Sequence, residues 1–252
     1  MRSETDDIVI VHSSDLHVDD GYTMRAWGGD GTAPLAAVLE SALAARADLV
    51  LLTGDVFEHN RLADDILVRT RTLLECAAMP VVLLPGNHDP LTDDSVWYRG
   101  RLVGIPGVHV LGAGRDFALF PDLDLAVWGR AHTDYDDMVP LARPPQRAAR
   151  RHIVAGHGHF VERRPEAGRH GPAWLITPEE IEATEADYVA LGHWNTHTSV
   201  GGGRVPACYS GSPDYAETVN VVRLTAGGTE ISRSPVAGTP ANAETANGES
   251  GA

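Results

Sequence analysis

Five short apolar runs constrain the fold of this chain more than any other feature. Each run is rich in Val, Ile and Leu, which is typical of a strand buried on both faces, and each is followed by a segment carrying Asp, Asn or His. Ligands bind at the carboxyl edge of parallel sheets, so the polar segments predict a site there. The runs and their segments are Ile8–Val11 with Asp15-Leu16-His17, Leu49–Leu52 with Gly54-Asp55, Val81–Leu84 with Gly86-Asn87-His88-Asp89, Ile153–Ala155 with Gly156-His157, and Tyr188–Leu191 with Gly192-His193.

The pattern between the runs predicts one α/β domain. Helical patterns at Pro34–Arg46 and Ala63–Ala77 alternate with the first three strands, and this βαβαβ order favours a largely parallel sheet. We expect the domain to span residues 1–235, followed by a disordered tail over 236–252, where the sequence shows no periodicity. Strands are predicted at 8–12, 49–53, 81–84, 108–111, 117–120, 125–128, 152–155, 188–191, 198–200, 205–209 and 218–224.

The composition restricts the partners of the chain. Its 20 basic residues, all Arg, face 35 acidic ones, and the net charge of −15 does not favour nucleic acid or anionic membranes. The two cysteines form no disulfide or metal pattern, and the sequence shows no signal peptide and no apolar run of about 20 residues. We therefore expect a cytoplasmic protein without membrane contact. The sequence has one dense basic region, for which we favour a solvated loop over a surface that binds phosphates. Its residues are Arg143, Arg147, Arg150, Arg151, Arg163, Arg164 and Arg169.

The polar residues after the strands are suited to hold two cations. Asp15 and His17 are two residues apart, so on an extended segment their side chains point the same way and can share one cation. The carboxylate of Asp55, from the neighbouring strand, can bridge two cations with its two oxygens. Mixed nitrogen and oxygen ligands suit Mn, Fe, Zn or Co, and two such ions roughly 3.5–4 Å apart support attack of activated water on a phosphate ester. The remaining predicted ligands are Asn87, His157 and His193.

Two other histidines lie near these positions in the sequence. His159 follows His157 by two residues, but the order Gly-His directly after an apolar strand favours His157 as the ligand. His12 lies within the first strand, where a packed core residue is favoured over a ligand.

The five segments resemble the calcineurin-like metallophosphoesterases, whose pattern runs DxH, GD, GNH[DE], H and GHxH. The resemblance extends from about residue 8 to about residue 224. It implies an α/β fold of the four-layer α/β/β/α sandwich type, with two divalent metal ions. Mn is the favoured metal. It also implies that His88 protonates the leaving oxygen or stabilises the transition state, with Asp89 orienting it. By the same resemblance, Asp15 and His17 hold the first metal, Asp55 bridges, and Asn87, His157 and His193 hold the second.

The last motif departs from the family pattern. It reads Gly192-His193-Trp194-Asn195, so Asn195 stands where the family has a histidine. Asn195 can ligate weakly through its oxygen, whereas His197 is a better donor but lies about 7 Å further along an extended chain. We predict Asn195 as the ligand and expect the first metal to bind more weakly than the second.

Two features resemble the nuclease subunit of SbcD-type DNA repair complexes. They are Phe57 after Gly-Asp-Val, and the segment Tyr209–Pro213. Two departures stand against them: Glu58 replaces the usual histidine after Phe57, and no capping domain or helical arm for an SbcC-type ATPase partner is visible. We expect a phosphodiesterase related to these nucleases, with DNA as a possible substrate. The alternatives are a phosphomonoesterase or cyclic-nucleotide phosphodiesterase acting on small molecules, and a non-catalytic scaffold, which predicts eroded ligands.

Overall fold

A computed structural model describes residues 7–19, 21–142, 144, 146–165 and 173–236. Two six-stranded sheets, a small two-stranded sheet and a few short helices make up the fold. The strands are β1 (Ile8–Ser13), β2 (Leu49–Thr53), β3 (Val81–Leu84), β4 (Val108–Val110), β5 (Phe117–Phe120), β6 (Leu125–Gly129), β7 (Arg151–His157), β8 (His159–Phe160), β9 (Leu175–Ile176), β10 (Tyr188–Gly192), β11 (Thr198–Val200), β12 (Ala207–Tyr209), β13 (Thr218–Thr225) and β14 (Gly228–Pro235). The helices are α1 (Tyr22–Ala26), α2 (Ala33–Ala44), α3 (Asp64–Glu75), α4 (Val96–Arg99), α5 (Pro178–Ala183) and α6 (Pro213–Ala216).

Each sheet has a parallel centre, with antiparallel strands on one side of the first sheet and at both edges of the second. The first has the order β14-β13-β1-β2-β3-β4, in which β1 to β4 are parallel and β13 and β14 close one side as a hairpin. The second has the order β11-β12-β10-β7-β6-β5, with β12, β10, β7 and β6 parallel. The predicted parallel core is therefore present, and antiparallel strands extend it.

Alternating side chains on the strands produce the layers. Ile8 and Ile10 of β1 pack between the two sheets, while Val9 and Val11 pack against the helical side. This alternation follows from the two-residue period of a strand, and the fully apolar runs are needed because both faces are covered. Helices α2 and α3 cover the first sheet, and α5 contributes Ile181 to the core on the outer face of the second. The layering confirms the expected α/β sandwich.

Several elements differ from the prediction. Helix α2 begins at Ala33 and ends at Ala44, within two residues of the expected bounds. Strand β14 was not predicted because its side chains are mostly polar and exposed, and it is held by its pairing with β13. Val236, which was predicted to begin the disordered tail, is instead buried in the core on the helical side of the first sheet. The rest of the predicted tail lies outside the described residues. Among the described helices, none is long and apolar enough to cross a bilayer.

The carboxyl ends of the parallel strands of both sheets meet at one edge. A direct link is the hydrogen bond, 2.8 Å long, between the ring Nδ1 of His157, which ends β7, and the carbonyl oxygen of Thr53, which ends β2. The polar segments after β1, β2, β3, β7 and β10 are thereby brought to the same place.

Candidate metal centre

The loops after β1 and β2 stay paired beyond the ends of the strands. The N–H of Asp15 donates to the carbonyl of Gly54 over 3.1 Å, and the N–H of His17 donates to the carbonyl of Asp55 over 3.0 Å. Asp15, His17 and Asp55 have φ angles of 53°, 47° and 48°. Such left-handed conformations are uncommon outside glycine and concentrate at functional sites, because surrounding contacts must hold them. The local backbone is therefore specialised to present these three side chains together.

Two groups of ligand atoms share one carboxylate. Asp15, His17 and Asp55 form the first group, and Asp55, His157 and His193 form the second; within each, the ligand atoms lie within 4.8 Å of one another. A carboxylate common to two such groups is positioned to bridge two cations.

Asn87 completes the set of neighbouring donors. Its Oδ1 lies 2.9 Å from the Nε2 of His157 and 3.2 Å from the Nδ1 of His193. The structure therefore brings together the residues predicted for the second metal and those predicted for the first, with Asn195 as the exception described below.

His157 is oriented for ligation. Because its Nδ1 donates to Thr53, its Nε2 faces Asp55 Oδ2 at 3.1 Å. Metal-binding histidines are fixed in this way, with the second ring nitrogen donating to a carbonyl or carboxylate. Burial lowers the pKa of His157, but the Asp55 carboxylate offsets this and raises the pKa to about 9. A positive charge at Nε2, whether a proton or a metal cation, is stabilised by that carboxylate.

The glycines of the motifs are required by close packing around the ligands. Gly54 has a φ of 92°, and a Cβ atom there would overlap the imidazole of His157. A Cβ atom at Gly86 would overlap the carboxylate of Asp55. Glycine is therefore needed in the Gly-Asp and Gly-Asn-His motifs, because ligand side chains approach the backbone closely at both positions.

The charges of the site fit divalent cations. Asp15 and Asp55 are 3% and 2% exposed, so two carboxylates are buried side by side. Burial raises the pKa of Asp15; it would also raise that of Asp55, but His157 keeps the pKa of Asp55 below its usual range. Buried carboxylates need compensating positive charge, and the mixed oxygen and nitrogen donors suit transition metals. The donor set thus fits two divalent ions without selecting one metal.

Asp89 has a different role from the one expected. Its carboxylate is fully buried and accepts hydrogen bonds from the N–H groups of Gly86 at 2.6 Å and Phe57 at 3.0 Å. Burial, with the nearby Asp55, raises the pKa of Asp89 to about 7. The expected orientation of His88 by Asp89 is therefore corrected: Asp89 faces inward and ties together the loops after β2 and β3, whereas the imidazole faces the partly exposed side.

Glu58, which was not predicted as a site residue, contacts His88 instead. The Nδ1 of His88 lies 3.0 Å from the carbonyl oxygen of Glu58 and 3.6 Å from its Oε1, and the Nδ1 of His17 lies 2.8 Å from its Oε2. Contact with Glu58 raises the pKa of His88 to about 9, and contacts with His17 and His88 lower the pKa of Glu58 to about 2. Its position three residues after Asp55, where the nuclease group has histidine, was the available sequence signal.

Three other histidines make hydrogen bonds to residues outside the ligand groups. His12 is buried in the core, with its ring nitrogens 2.9 Å from the hydroxyls of Tyr188 and Thr53, as expected for a packed residue. His159 accepts a hydrogen bond from the indole of Trp194 at 3.1 Å. The Nδ1 of His197 lies 2.9 Å from Asn220 Oδ1.

Asn195 is exposed, and its backbone carbonyl accepts a hydrogen bond from the N–H of Ser212 at 3.1 Å. Ligation by the Asn195 side chain stays a prediction. The partner of His197 on β13 makes His197 the weaker candidate of the two.

The sequence model of the calcineurin-like phosphoesterases matches residues 8–224. The chain belongs to this family. It is therefore a metal-dependent phosphoesterase, and the two ligand groups that share Asp55 agree with the dinuclear centre that the family uses. The ligand-type residues are in place, unlike the eroded set that a scaffold would show.

Solved structures show the same fold at low sequence identity. One, with a TM-score of 0.58 and 14% identity, is matched over 92% of this chain and 100% of its own. Another, from Staphylococcus aureus, is named as a 5'-nucleotidase in complex with alpha-ketoglutarate; its TM-score is 0.63 at 16% identity, over 92% of this chain and 54% of that one. The chain thus spans about half of that protein. No curated protein matches the chain significantly. The affiliation with SbcD-type nucleases stays a prediction.

Proposed function

We propose that this phosphoesterase hydrolyses small phosphate esters and prefers diesters to monoesters. The observation that carries the proposal is a cleft of about 670 Å³ that opens onto Asn87 and His88 and is bounded on its other sides by loop residues. Sites for small molecules have volumes of roughly 300–1,000 Å³, so a mononucleotide-sized ester would fill this cleft.

The metal centre and His88 would have separate roles in hydrolysis at this cleft. Two bound divalent ions would supply an activated water and neutralise charge on the phosphoryl group. His88 has a side chain that is 40% exposed and faces the cleft, and Glu58 holds its imidazole in the charged form. A protonated imidazole in this place can donate a proton to the leaving oxygen.

Four of the five described arginines of the predicted basic region pair with acidic side chains, and Arg143 and Arg169 lie outside the described residues. Arg147 pairs with Asp187 at 2.8 Å, and Arg164 pairs with Glu180 at 2.6 Å. Arg151 begins β7, whereas His157 ends it, so Arg151 lies toward the opposite edge of the sheet from the ligands. Together with the net charge of −15, this favours a small substrate over a nucleic acid backbone.

A nuclease related to the SbcD type is the second candidate, because the segment Tyr209–Pro213 is present. Within it, Ser210 Oγ lies 2.9 Å from Ser14 Oγ, and Ser14 donates to the carboxylate of Asp15. The segment therefore supports a metal ligand, which is a role that a small-molecule phosphoesterase also needs. DNA as substrate and an ATPase partner remain proposals of lower rank.

A substrate panel tests the proposal. Purified protein with added Mn²⁺ is assayed on bis-p-nitrophenyl phosphate, p-nitrophenyl phosphate, and single- and double-stranded DNA, with the Asp55→Asn protein as a control for contaminating activity. We expect turnover of the p-nitrophenyl esters, diester before monoester, and little on DNA. Degradation of DNA at a comparable rate, lost in Asp55→Asn, would favour the nuclease instead.

A further inference from the structure

The cleft beside the metal centre has an aromatic part as well as a catalytic part. Asn87 and His88 line one part of its wall, and Tyr135 and Trp174 line another. The hydrolysis proposed above uses the first part alone. The aromatic residues are therefore available to bind the portion of the substrate that does not react.

Trp174 is held in an uncommon backbone conformation. Its φ is 54°, its N–H donates to Asp137 Oδ1 at 2.6 Å, and its indole N–H donates to the carbonyl of Asp136 at 3.0 Å. Its own carbonyl accepts a hydrogen bond from the N–H of His159 at 2.9 Å. A bulky residue persists in the left-handed region only where its surroundings fix it, and such positions concentrate at functional sites.

The indole of Trp174 stands beside a predicted metal ligand. Its ring packs edge-to-face against His193, with centroids 5.8 Å apart, and against His132 at 5.3 Å. A group that contacts this indole from the cleft is therefore within a few ångströms of the metal centre.

Tyr135 lies next to Trp174 through the backbone. The carbonyl that accepts the indole N–H belongs to Asp136, the residue directly after Tyr135. The phenol of Tyr135 is 63% exposed. Single exposed aromatic residues are common on protein surfaces, but this one shares a cleft with a second, rigidly held aromatic residue and with the reactive groups.

We propose that Tyr135 and Trp174 form an aromatic platform that binds the base of a nucleotide substrate while its phosphate lies at Asn87 and His88. The proposal rests on the proposed function and names its substrate class. Planar bases stack on aromatic side chains regardless of their sequence identity. The rest of the lining is polar, which suits a heteroaromatic ring with hydrogen-bonding edges better than a hydrocarbon chain; it includes His59, Asn60, Arg61, Thr92 and Asp94.

Binding of two matched ligands tests the platform. The ligands are the phosphonate analogues of AMP and of ribose 5-phosphate, in which a methylene replaces the ester oxygen so that neither is hydrolysed. Their affinities for the Mn²⁺-loaded chain are measured by calorimetry. We expect the adenosine compound to bind at least about 10-fold more tightly, since stacking on aromatic side chains has this magnitude.

Variants test which residues cause the preference for the adenosine compound. Tyr135→Leu should weaken binding of the adenosine compound about 10-fold and leave the ribose compound unchanged. Tyr98→Leu, at an exposed tyrosine of α4 outside the cleft lining, is the matched control and should change neither. Because Trp174 also contacts His193, Trp174→Phe, which keeps a ring, is compared with Trp174→Leu; the Phe variant should retain more of the base preference.

Two results would overturn the platform: equal affinity of the wild type for both ligands, or an equal loss of both in Tyr135→Leu. The outcome is separable from that of the proposed function. If the chain binds the adenosine compound preferentially but hydrolyses no small ester, the proposed function is rejected and the platform is retained. If the chain hydrolyses small esters but shows no preference for the base, the platform is rejected and the proposed function is retained.

Discussion

At the scale of single residues, the site is defined by which side chains share partners. Asp55 belongs to both ligand groups, and it also accepts the N–H of His88 at 2.9 Å. One carboxylate thus connects the loops after β2 and β3 with the histidine at the end of β7. Two residues that differ from expectation lie around this connection: Glu58 contacts the imidazole of His88, and Asp89 ties the loops after β2 and β3 together.

His88→Ala should reduce kcat and leave the metal content unchanged. The imidazole lines the cleft and lies outside the two groups that share Asp55, although it forms a third close group with His17 and Glu58. Unchanged metal content in the variant therefore distinguishes a proton donor from a ligand. We expect a decrease on the order of 10²–10⁴-fold for an ester with an alkoxide leaving group. The decrease should be smaller for a p-nitrophenyl ester, whose leaving group needs no proton. Loss of metal, or equal decreases for both esters, would remove His88 from this role.

Asn195→His should tighten the first metal. A neutral amide oxygen is a weaker ligand than imidazole, so activity of the wild type should depend on added Mn²⁺ over a higher concentration range than activity of the variant. His197→Ala should shift this dependence little, because the His197 ring is paired with Asn220. Titration of activity against Mn²⁺ checks both variants. If His197→Ala abolishes activity and Asn195→His changes nothing, His197 is the ligand.

At the scale of elements, the site depends on paired loops that continue beyond the strands. The sequence was sufficient for the strands that deliver ligands, because their apolar runs are long and end in distinctive polar segments. It was not sufficient for β14, whose stability comes from pairing with β13 and not from its own side chains. The contact of Glu58 with His88 and the position of Trp174 depend on loop geometry that no local pattern encodes.

A pair of glycine substitutions separates backbone strain from packing at these loops. Gly54 and Gly104 have φ angles of 92° and 93°, but a Cβ atom meets the His157 imidazole at the first and nothing within 4 Å at the second. Gly104→Ala should therefore cost only the left-handed strain, about 1–2 kcal/mol in the free energy of unfolding. Gly54→Ala should cost more and also lose metal. Equal destabilisation with intact metal binding in both variants would show that Gly54 serves the turn alone.

At the scale of the whole molecule, two sheets meet so that one edge collects the ligands of both. Neither sheet carries a complete set: Asp15, His17, Asp55 and Asn87 follow strands of the first, and His157 and His193 belong to the second. The packing of the sheets is therefore what assembles the second ligand group. The net charge of −15 and the size of the cleft support the proposal of a small substrate.

The central claim is that two divalent ions are held by groups that share Asp55, and metal analysis tests it most directly. Wild-type protein, Asp55→Asn and the control Asp93→Asn, an exposed carboxylate outside both groups, are loaded with Mn²⁺, dialysed and analysed for metal per chain. We predict close to two ions in the wild type and in Asp93→Asn, and a sharp loss in Asp55→Asn. Full metal content in Asp55→Asn would contradict the bridging role and, with it, the account of the site.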